Sequence, residues 1–389
     1  MTFLNQAKKL QKEIVDLRRH LHAHPELSFE EKETAKLVAN QLDSLGYKVK
    51  KGVGKTGVLA DLGASSGPTV AIRADMDALP VEEQPNIAYH SQNKGVMHAC
   101  GHDAHIACAI AAAKLLTTAS PMPGGKIRML MQPAEEFTDS AGRSGAYRMI
   151  EDDALQGVTS IIGLHMDASI PAGIVGIAPG PVMAAADAFK ITILGRGGHG
   201  AFPENAIDPV VIGAQVVQAI QQIVSRRISA LDPAIITIGS FQSSSTRGNV
   251  ISDQVVLHGT IRTFNKAVRK VILEEMEKAC AIIKALGGDY RIDYELSYPA
   301  TINDPKITEV MRQAAVDLIG EENVITLPPK PWSEDFSMYQ EIIPGAFMFL
   351  GCEIAGDRRT HHSANFDLDE SGLYIGSAVL AETAKRLLE

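Results

Sequence analysis

A change of pattern part-way along the chain constrains the fold more than any other feature. Up to about residue 164, short β-prone runs at 47–51, 57–62, 69–74, 126–131 and 160–164 alternate with helical stretches, among them the Ala-rich 106–116. Such alternation implies an α/β core whose site lies at the strand ends. Between 184 and 299 the order becomes strand 188–194, helix 209–229, strands 234–241 and 255–264, helix 266–286 and strand 290–298. That is βαββαβ, the ferredoxin-like unit. After residue 305 helix–strand alternation returns. The reading is an α/β domain in two parts, 1–183 and 300–389, interrupted by an inserted domain at 184–299. With 389 residues, two domains are expected in any case.

The N-terminal region adds two helices. One begins near Phe3 and ends before Pro25, since the residue preceding proline is pushed out of helical geometry. Ser28-Phe29-Glu30-Glu31 reads as a capping box opening a second helix that runs to Leu45.

Composition excludes several roles. A net charge of −9 without a basic cluster argues against nucleic-acid binding. The longest apolar run, 106–116, is interrupted by Lys114 and is too short to span a bilayer. The first nineteen residues form an amphipathic pattern with no signal-peptide core. Cys100, Cys108, Cys280 and Cys352 are too scattered for a disulfide framework, so a reducing cytoplasm fits best. The last three read as buried apolar residues.

The chemistry concentrates around Val96-Met97-His98-Ala99-Cys100-Gly101-His102-Asp103-Ala104-His105. A Cys and a His two apart, joined by Gly, supply soft and borderline metal ligands. A reactive cysteine or a structural zinc knuckle could use the same pair, so the segment needs its surroundings. Asp75 and Asp77 alternate at a strand end and share a side. Glu135 and Glu136 follow strand 126–131, and their divergent side chains allow one to ligate while the other faces water. His165 ends an apolar run, and of His361-His362 only one should face a given site. His20, His22 and His24 read as helix-terminal or structural, while His90, His98, His105 and His258 have no assigned role. Gly52–Gly57 and Gly195–Gly200 match G-x-G-x-x-G without the following helix N-terminus that a dinucleotide requires. Gly63–Gly67 has the nucleophile-elbow spacing but joins two strands.

Taken together, these segments resemble the aminoacylase–carboxypeptidase family of metal-dependent amidohydrolases. The closest branch holds hippurate hydrolases, indoleacetyl-amino-acid hydrolases and N-acetyl-diaminopimelate deacetylases. The resemblance spans essentially the whole chain, from Arg18–Ser28 through Arg73–Pro80 and the cysteine segment to Gly197–Ala201, Gly248–Ile251, Gly259–Arg262 and Ser333–Phe336. It implies a zinc-peptidase-like catalytic domain with an inserted dimerisation or lid domain. It implies two divalent ions per subunit, zinc first, with manganese, cobalt or nickel as alternatives. Cys100, His102, Glu136, His165 and His362 match the metal ligands, Cys100 as the bridge. Alignment on Phe366-Asp367 selects His362 over His361. Glu135 matches the general base, and Asp77 the acid that orients a ligand. His199 and Asn249 match groups that reach the scissile carbonyl from the partner subunit of a homodimer, which could assemble further to a tetramer. Arg262 is the candidate for the substrate carboxylate.

The chain departs from better-known di-zinc relatives, which have His at the place of Asp75 and Asp at that of Cys100. Ser252 and Ala364 stand where Pro is common, and Trp332 where Gly is usual. The implied function is hydrolysis of the amide of N-acyl amino acids. The alternatives are a metallocarboxypeptidase or dipeptidase acting on short peptides, and a non-catalytic metal- or ligand-binding relative. Glu135 favours catalysis over binding alone.

Overall fold

Strand Thr69–Asp75 is buried along its whole length, so both of its faces must be covered. It lies inside an eight-stranded mixed sheet in a computed structural model that describes residues 2–64, 66–84, 87–119, 124–357 and 359–389. From one edge the strands run Lys48–Val53, Gly57–Gly63, Lys126–Gln132, Thr69–Asp75, Ser160–Pro171, Gly345–Glu353, Val175–Gly176 and Val324–Ile325. The central four are mutually parallel, and the antiparallel pairs lie to either side. Their register aligns Asp75 with Gln132 and Arg73 with Gly163, which brings the ends of two strands level with the middle of the third, Ser160–Pro171. Loops leaving that level carry Asp77, Glu135 and Glu136, and His165 lies on the third strand itself.

Helix His102–Thr117 explains why this edge is so tightly built. Nearly all of its residues are buried, and six of its sixteen are alanine. Small side chains let it pack at once against strand Thr69–Asp75 and helices Phe3–Ala23 and Leu373–Leu388. On the last of these, a Cβ at Gly376 would come within 2.8 Å of Leu350 Cδ2, so a larger residue there would have to displace side chains of the sheet. Arg18 is fully buried within this layer, ion-paired to Asp103 at 2.9 Å, Asp367 at 3.1 Å and Glu370 at 3.2 Å. An unpaired guanidinium could not be held there, because its desolvation cost is several kcal/mol.

The expected capping box at Ser28–Glu31 does not form. The helix is Lys32–Ser44, and its N-cap Glu31 makes no side-chain cap hydrogen bond. Ser28 Oγ instead donates to Asp77 Oδ2 at 2.6 Å, and Glu31 Oε1 accepts from Phe29 N at 2.9 Å and Ala134 N at 2.8 Å. A helix-end amide can turn to water, whereas the buried Ala134 N–H cannot, so the tertiary demand prevails.

The described residues divide into two compact units. The first comprises 1–182, 302–328 and 335–389, and the second 183–301 with 329–334. The second unit holds an antiparallel sheet in the order Ala234–Ser243, Gln254–Thr263, Ala185–Leu194, Asp289–Leu296. Helices Pro209–Arg227 and Lys266–Cys280 supply Ile212, Val216, Ile220, Ile272 and Met276 to a core shared with Ile191, Ile193, Val255, Leu257 and Ile261. Alternate residues of Gln254–Thr263 are buried, as expected of a sheet with one covered face. The expected single helix over 266–286 breaks at Ala281 into Lys266–Cys280 and Ile282–Ala285. No described helix is long and apolar enough to cross a membrane.

Candidate metal centre

The site begins with strained backbone. Gly101, between Cys100 and His102, has φ +91°, and a Cβ there would sit 3.2 Å from the Met166 side chain. The backbone conformation favours glycine, and the close approach of Met166 adds to that preference. Of the non-glycine residues in the left-handed region, two belong to this site, Ala134 at φ +46° just before Glu135 and His362 at φ +60°. Such conformations cost on the order of 1–3 kcal/mol and persist where the surroundings over-determine them. At Ala134 the determinant is visible. Its N–H is held by Glu31, its carbonyl accepts from Gly145 N at 2.8 Å, and Glu136 N donates to Asp77 Oδ2 at 3.0 Å.

Five side chains converge on this backbone. Cys100 Sγ lies 3.5 Å from His165 Nε2 and 3.3 Å from His362 Nε2. Glu136 Oε1 is 3.2 Å from His362 Nε2 and 3.9 Å from His102 Nε2. The candidate ligand atoms fall into two groups that share Cys100, one with His102 and His165 and the other with Glu136 and His362, each within 4.8 Å. The buried Glu135 carboxylate lies within the same distance of His102 and Glu136. His361 turns elsewhere: its Nε2 accepts from Ala168 N at 3.3 Å, and its ring packs on Phe366.

Hydrogen bonds on the far side fix which ring nitrogen faces the cluster. His102 Nδ1 donates to the Asp77 carbonyl at 2.8 Å and lies 3.3 Å from Asp77 Oδ1. His165 Nδ1 donates to the Met166 carbonyl at 2.6 Å. Each ring therefore presents Nε2 inward, the arrangement that outer partners impose on a metal-ligating imidazole.

The electrostatics are those of a cavity built for a cation. Burial, then Glu136, Glu135 and Asp75, pushes the Cys100 thiol well above its usual range. Burial pulls His102 down, but Asp75, Asp77 and Glu136 outweigh it and raise the imidazole to about 10. Burial and the neighbouring His105 and His361 hold His165 well below its ordinary value. Burial works to raise Asp77, yet its bond with His102 lowers it. Buried His102 Nε2 and Glu136 Oε1 make no hydrogen bond at all. Orphaned polar atoms of this kind demand an explanation. A divalent ion would satisfy both, and the S, N and O donor set suits a borderline-soft ion over magnesium.

The other candidates lie in the second unit. His199 is exposed on the two-residue strand Gly198–His199, opposite Val250, and its Nδ1 accepts from Ala201 N at 3.0 Å. Asn249 is also exposed, with its carbonyl accepting from Gly200 N at 2.9 Å. Arg262 is half-buried, and its NH1 donates to the carbonyl of Ile261 at 3.1 Å.

Three participants escaped the sequence reading. Ser28 and Glu31 fit the capping pattern equally well, and the sequence carries no separate signal for their tertiary role. The third is His105, a fully buried histidine one turn beyond His102. Helical spacing from His102 was its signal.

This fold and this cluster are those of a metal-dependent hydrolase. A model of the peptidase family M20/M25/M40 matches residues 71–386. N-acetyl-L-cysteine deacetylase of Bacillus subtilis is 43% identical over 385 residues, covering 98% of this chain and 89% of the relative. Thermostable carboxypeptidase 1 of Saccharolobus solfataricus is 39% identical, covering 96% of this chain and 95% of its own length. The crystal structure of the Bacillus subtilis YXEP protein, named as a dinuclear metal-binding peptidase of the M20 family, superposes with a TM-score of 0.85. It is 35% identical and covers 98% of this chain and 99% of that one. The chain belongs to the peptidase family M20/M25/M40.

Proposed function

We propose that this hydrolase cleaves the amide bond of N-acyl amino acids, releasing a carboxylate and a free amino acid. The observation that carries the reading is the buried Glu135 carboxylate beside a cluster in which His102 Nε2 and Glu136 Oε1 make no hydrogen bond. A deacetylase at 43% identity supports the substrate class. Cys100, His102, Glu136, His165 and His362 would hold two divalent ions, zinc first, with manganese, cobalt and nickel as the alternatives.

A divalent ion supplies Lewis acidity, lowering the pKa of water toward neutrality and polarising the scissile carbonyl. Glu135 takes the proton from the attacking water and delivers it to the leaving amine. Asp77 holds His102 in orientation through its backbone carbonyl and carboxylate. His199 and Asn249 donate to the developing oxyanion, and Arg262 binds the substrate carboxylate. The second unit is then an inserted ferredoxin-like domain that pairs two chains into a homodimer, in which His199 of one chain serves the other. The order of its sheet supports the first part of that statement. Four free cysteines, all buried, suit a reducing cytoplasm.

The carboxypeptidase relative favours a second reading, cleavage of short peptides by the same groups. One experiment separates the two. Chelated protein is reloaded with zinc, manganese, cobalt or nickel, and kcat/KM is measured on N-acetyl amino acids, N-benzoyl amino acids and dipeptides. The proposal expects activity to vanish with the metal, return on reloading and favour the N-acyl substrates. A preference for dipeptides moves the assignment to the second reading, and activity undiminished by chelation removes the metal mechanism.

A further inference from the structure

Beyond Gly163, strand Ser160–Pro171 loses its partner on one side. The ladder to Thr69–Asp75 ends at the pairing of Arg73 with Gly163, so the Met166 N–H on that side has no strand acceptor. His105 provides one. Its Nε2 accepts from Met166 N at 2.8 Å, and its Nδ1 donates to Asp75 Oδ1 at 2.6 Å. Arg73 NH1 in turn donates to Asp75 Oδ2 at 2.7 Å and Arg73 NH2 to Asp335 Oδ1 at 2.9 Å. Arg73, Asp75, His105 and Asp335 are all within 1% of complete burial. The same Met166 carries the carbonyl that fixes His165 Nδ1. The rings of His105 and His165 are 4.7 Å apart.

These contacts form one line from Arg73 through Asp75 and His105 to the Met166 backbone and thence to His165. Asp75 accepts the Nδ1 proton, which leaves the Nε2 lone pair of His105 for the Met166 amide. That bond fixes the peptide joining His165 to Met166. Since the peptide is planar, it also fixes the backbone from which the His165 side chain projects. We propose that His105, oriented by Asp75, is a positioning residue that sets the direction of His165 Nε2 toward the metal centre. The inference rests on His165 being a metal ligand, as proposed above. It gives Asp75 a task in this chain that differs from ligation, because both of its oxygens are already engaged.

The test exploits the two nitrogens of His105. In His105→Gln the side-chain oxygen reaches the place of Nε2 and keeps an acceptor for Met166 N. In His105→Asn the amide reaches only the place of Nδ1 and leaves Met166 N–H without one. Affinity for cobalt is measured by titration of the chelated proteins, with the cobalt absorption spectrum as a second readout and circular dichroism as the fold control. The proposal expects His105→Gln to stay near wild type, and His105→Asn and His105→Ala to bind the weaker-held ion about 10–100-fold less well. In a His165→Ala background His105→Asn should have no further effect, since the two residues then act on one interaction. Wild-type affinity and spectrum in a folded His105→Asn, or full additivity with His165→Ala, overturns the proposal. If the Asn and Ala variants do not fold, His105→Gln decides, because a Gln variant that loses the ion contradicts the assigned bond. Wild-type protein that binds no cobalt overturns the metal reading itself, whereas cobalt binding indifferent to residue 105 overturns the positioning role alone.

Discussion

The metal-centre candidates of the first unit and the substrate-binding candidates of the second are built in opposite ways. His102, His165 and the Glu135–Glu136 loop are each tied from behind, to Asp77, to the Met166 carbonyl, and to Glu31 with Asp77. Most of these atoms are buried. His199 is exposed on a two-residue ribbon and Asn249 just before its other strand, and the Arg262 guanidinium donates to the carbonyl of the adjacent Ile261. The first set is organised by folding, and its strained Ala134 and His362 are held at the expense of stability elsewhere. The second set has polar groups to spare, as residues do when their partner is a substrate or another chain. Substitutions in the two units should therefore fail differently.

The largest effect is expected at Glu135. Glu135→Gln should lower kcat by about 10²–10⁴, the usual contribution of a positioned general base, while bound metal stays at the wild-type level. Metal analysis and turnover on one preparation check this. Loss of metal would make Glu135 a ligand and blur the division between the two glutamates.

His199→Ala should lower kcat by about 10²–10³, the typical loss for one oxyanion donor, and leave both the melting temperature and metal content unchanged. Inactive Glu135→Gln and His199→Ala chains, mixed under conditions where exchange of tagged chains is demonstrated, should regain part of the activity. Heterodimers that form and stay inactive would return His199 to its own subunit or take it out of the mechanism.

Glu31 tests the scaffold. Burial, then the charge of Asp77, raises its carboxyl to about 7. The folded protein thus holds a proton that the unfolded chain has already lost above the usual carboxylate range. Stability of the chelated protein should fall as pH rises from that range through about 7, by on the order of 3 kcal/mol, and level off above. Glu31→Gln, neutral at every pH, should flatten this slope in urea unfolding curves. A slope unchanged by the substitution would assign it to another group.

The smallest signal is a proton count. At pH 8 the raised values of His102 and Cys100 keep both protonated without a cation. Zinc binding should then release about two protons per chain, read by calorimetry in buffers of different ionisation enthalpy. Release near zero would mean that neither group becomes a ligand.

Much of the α/β core was legible because strand and helix periods are local properties. The strands at 57–62, 69–74 and 126–131 lie within a residue of those observed. The ligand types were legible too, since Cys, His and Glu at strand ends are chemically conspicuous. Ser28 and Glu31 were misread for a physical reason. A capping box and a tertiary donor and acceptor present the same letters, and only distant groups decide between them, Asp77 for Ser28 and the buried amide of Ala134 for Glu31. For His105 the helical spacing from His102 marks a place near the site but not a role, because that role depends on where a β-ladder stops.

By itself the sequence determined the order of elements, the ordinary globular composition, and a set of metal-capable side chains in separate segments. Only the tertiary structure decided which atoms meet. The parallel register brings Asp75, Gln132 and the strand bearing His165 to one level. A left-handed backbone at residue 362 sends that histidine toward Cys100 and Glu136, while its neighbour His361 turns to Ala168. Adjacent identical residues carry no local information about which one faces a site. That choice is made by backbone direction, and backbone direction here is fixed by hydrogen bonds to distant parts of the chain, such as that from His362 N to the Ala99 carbonyl.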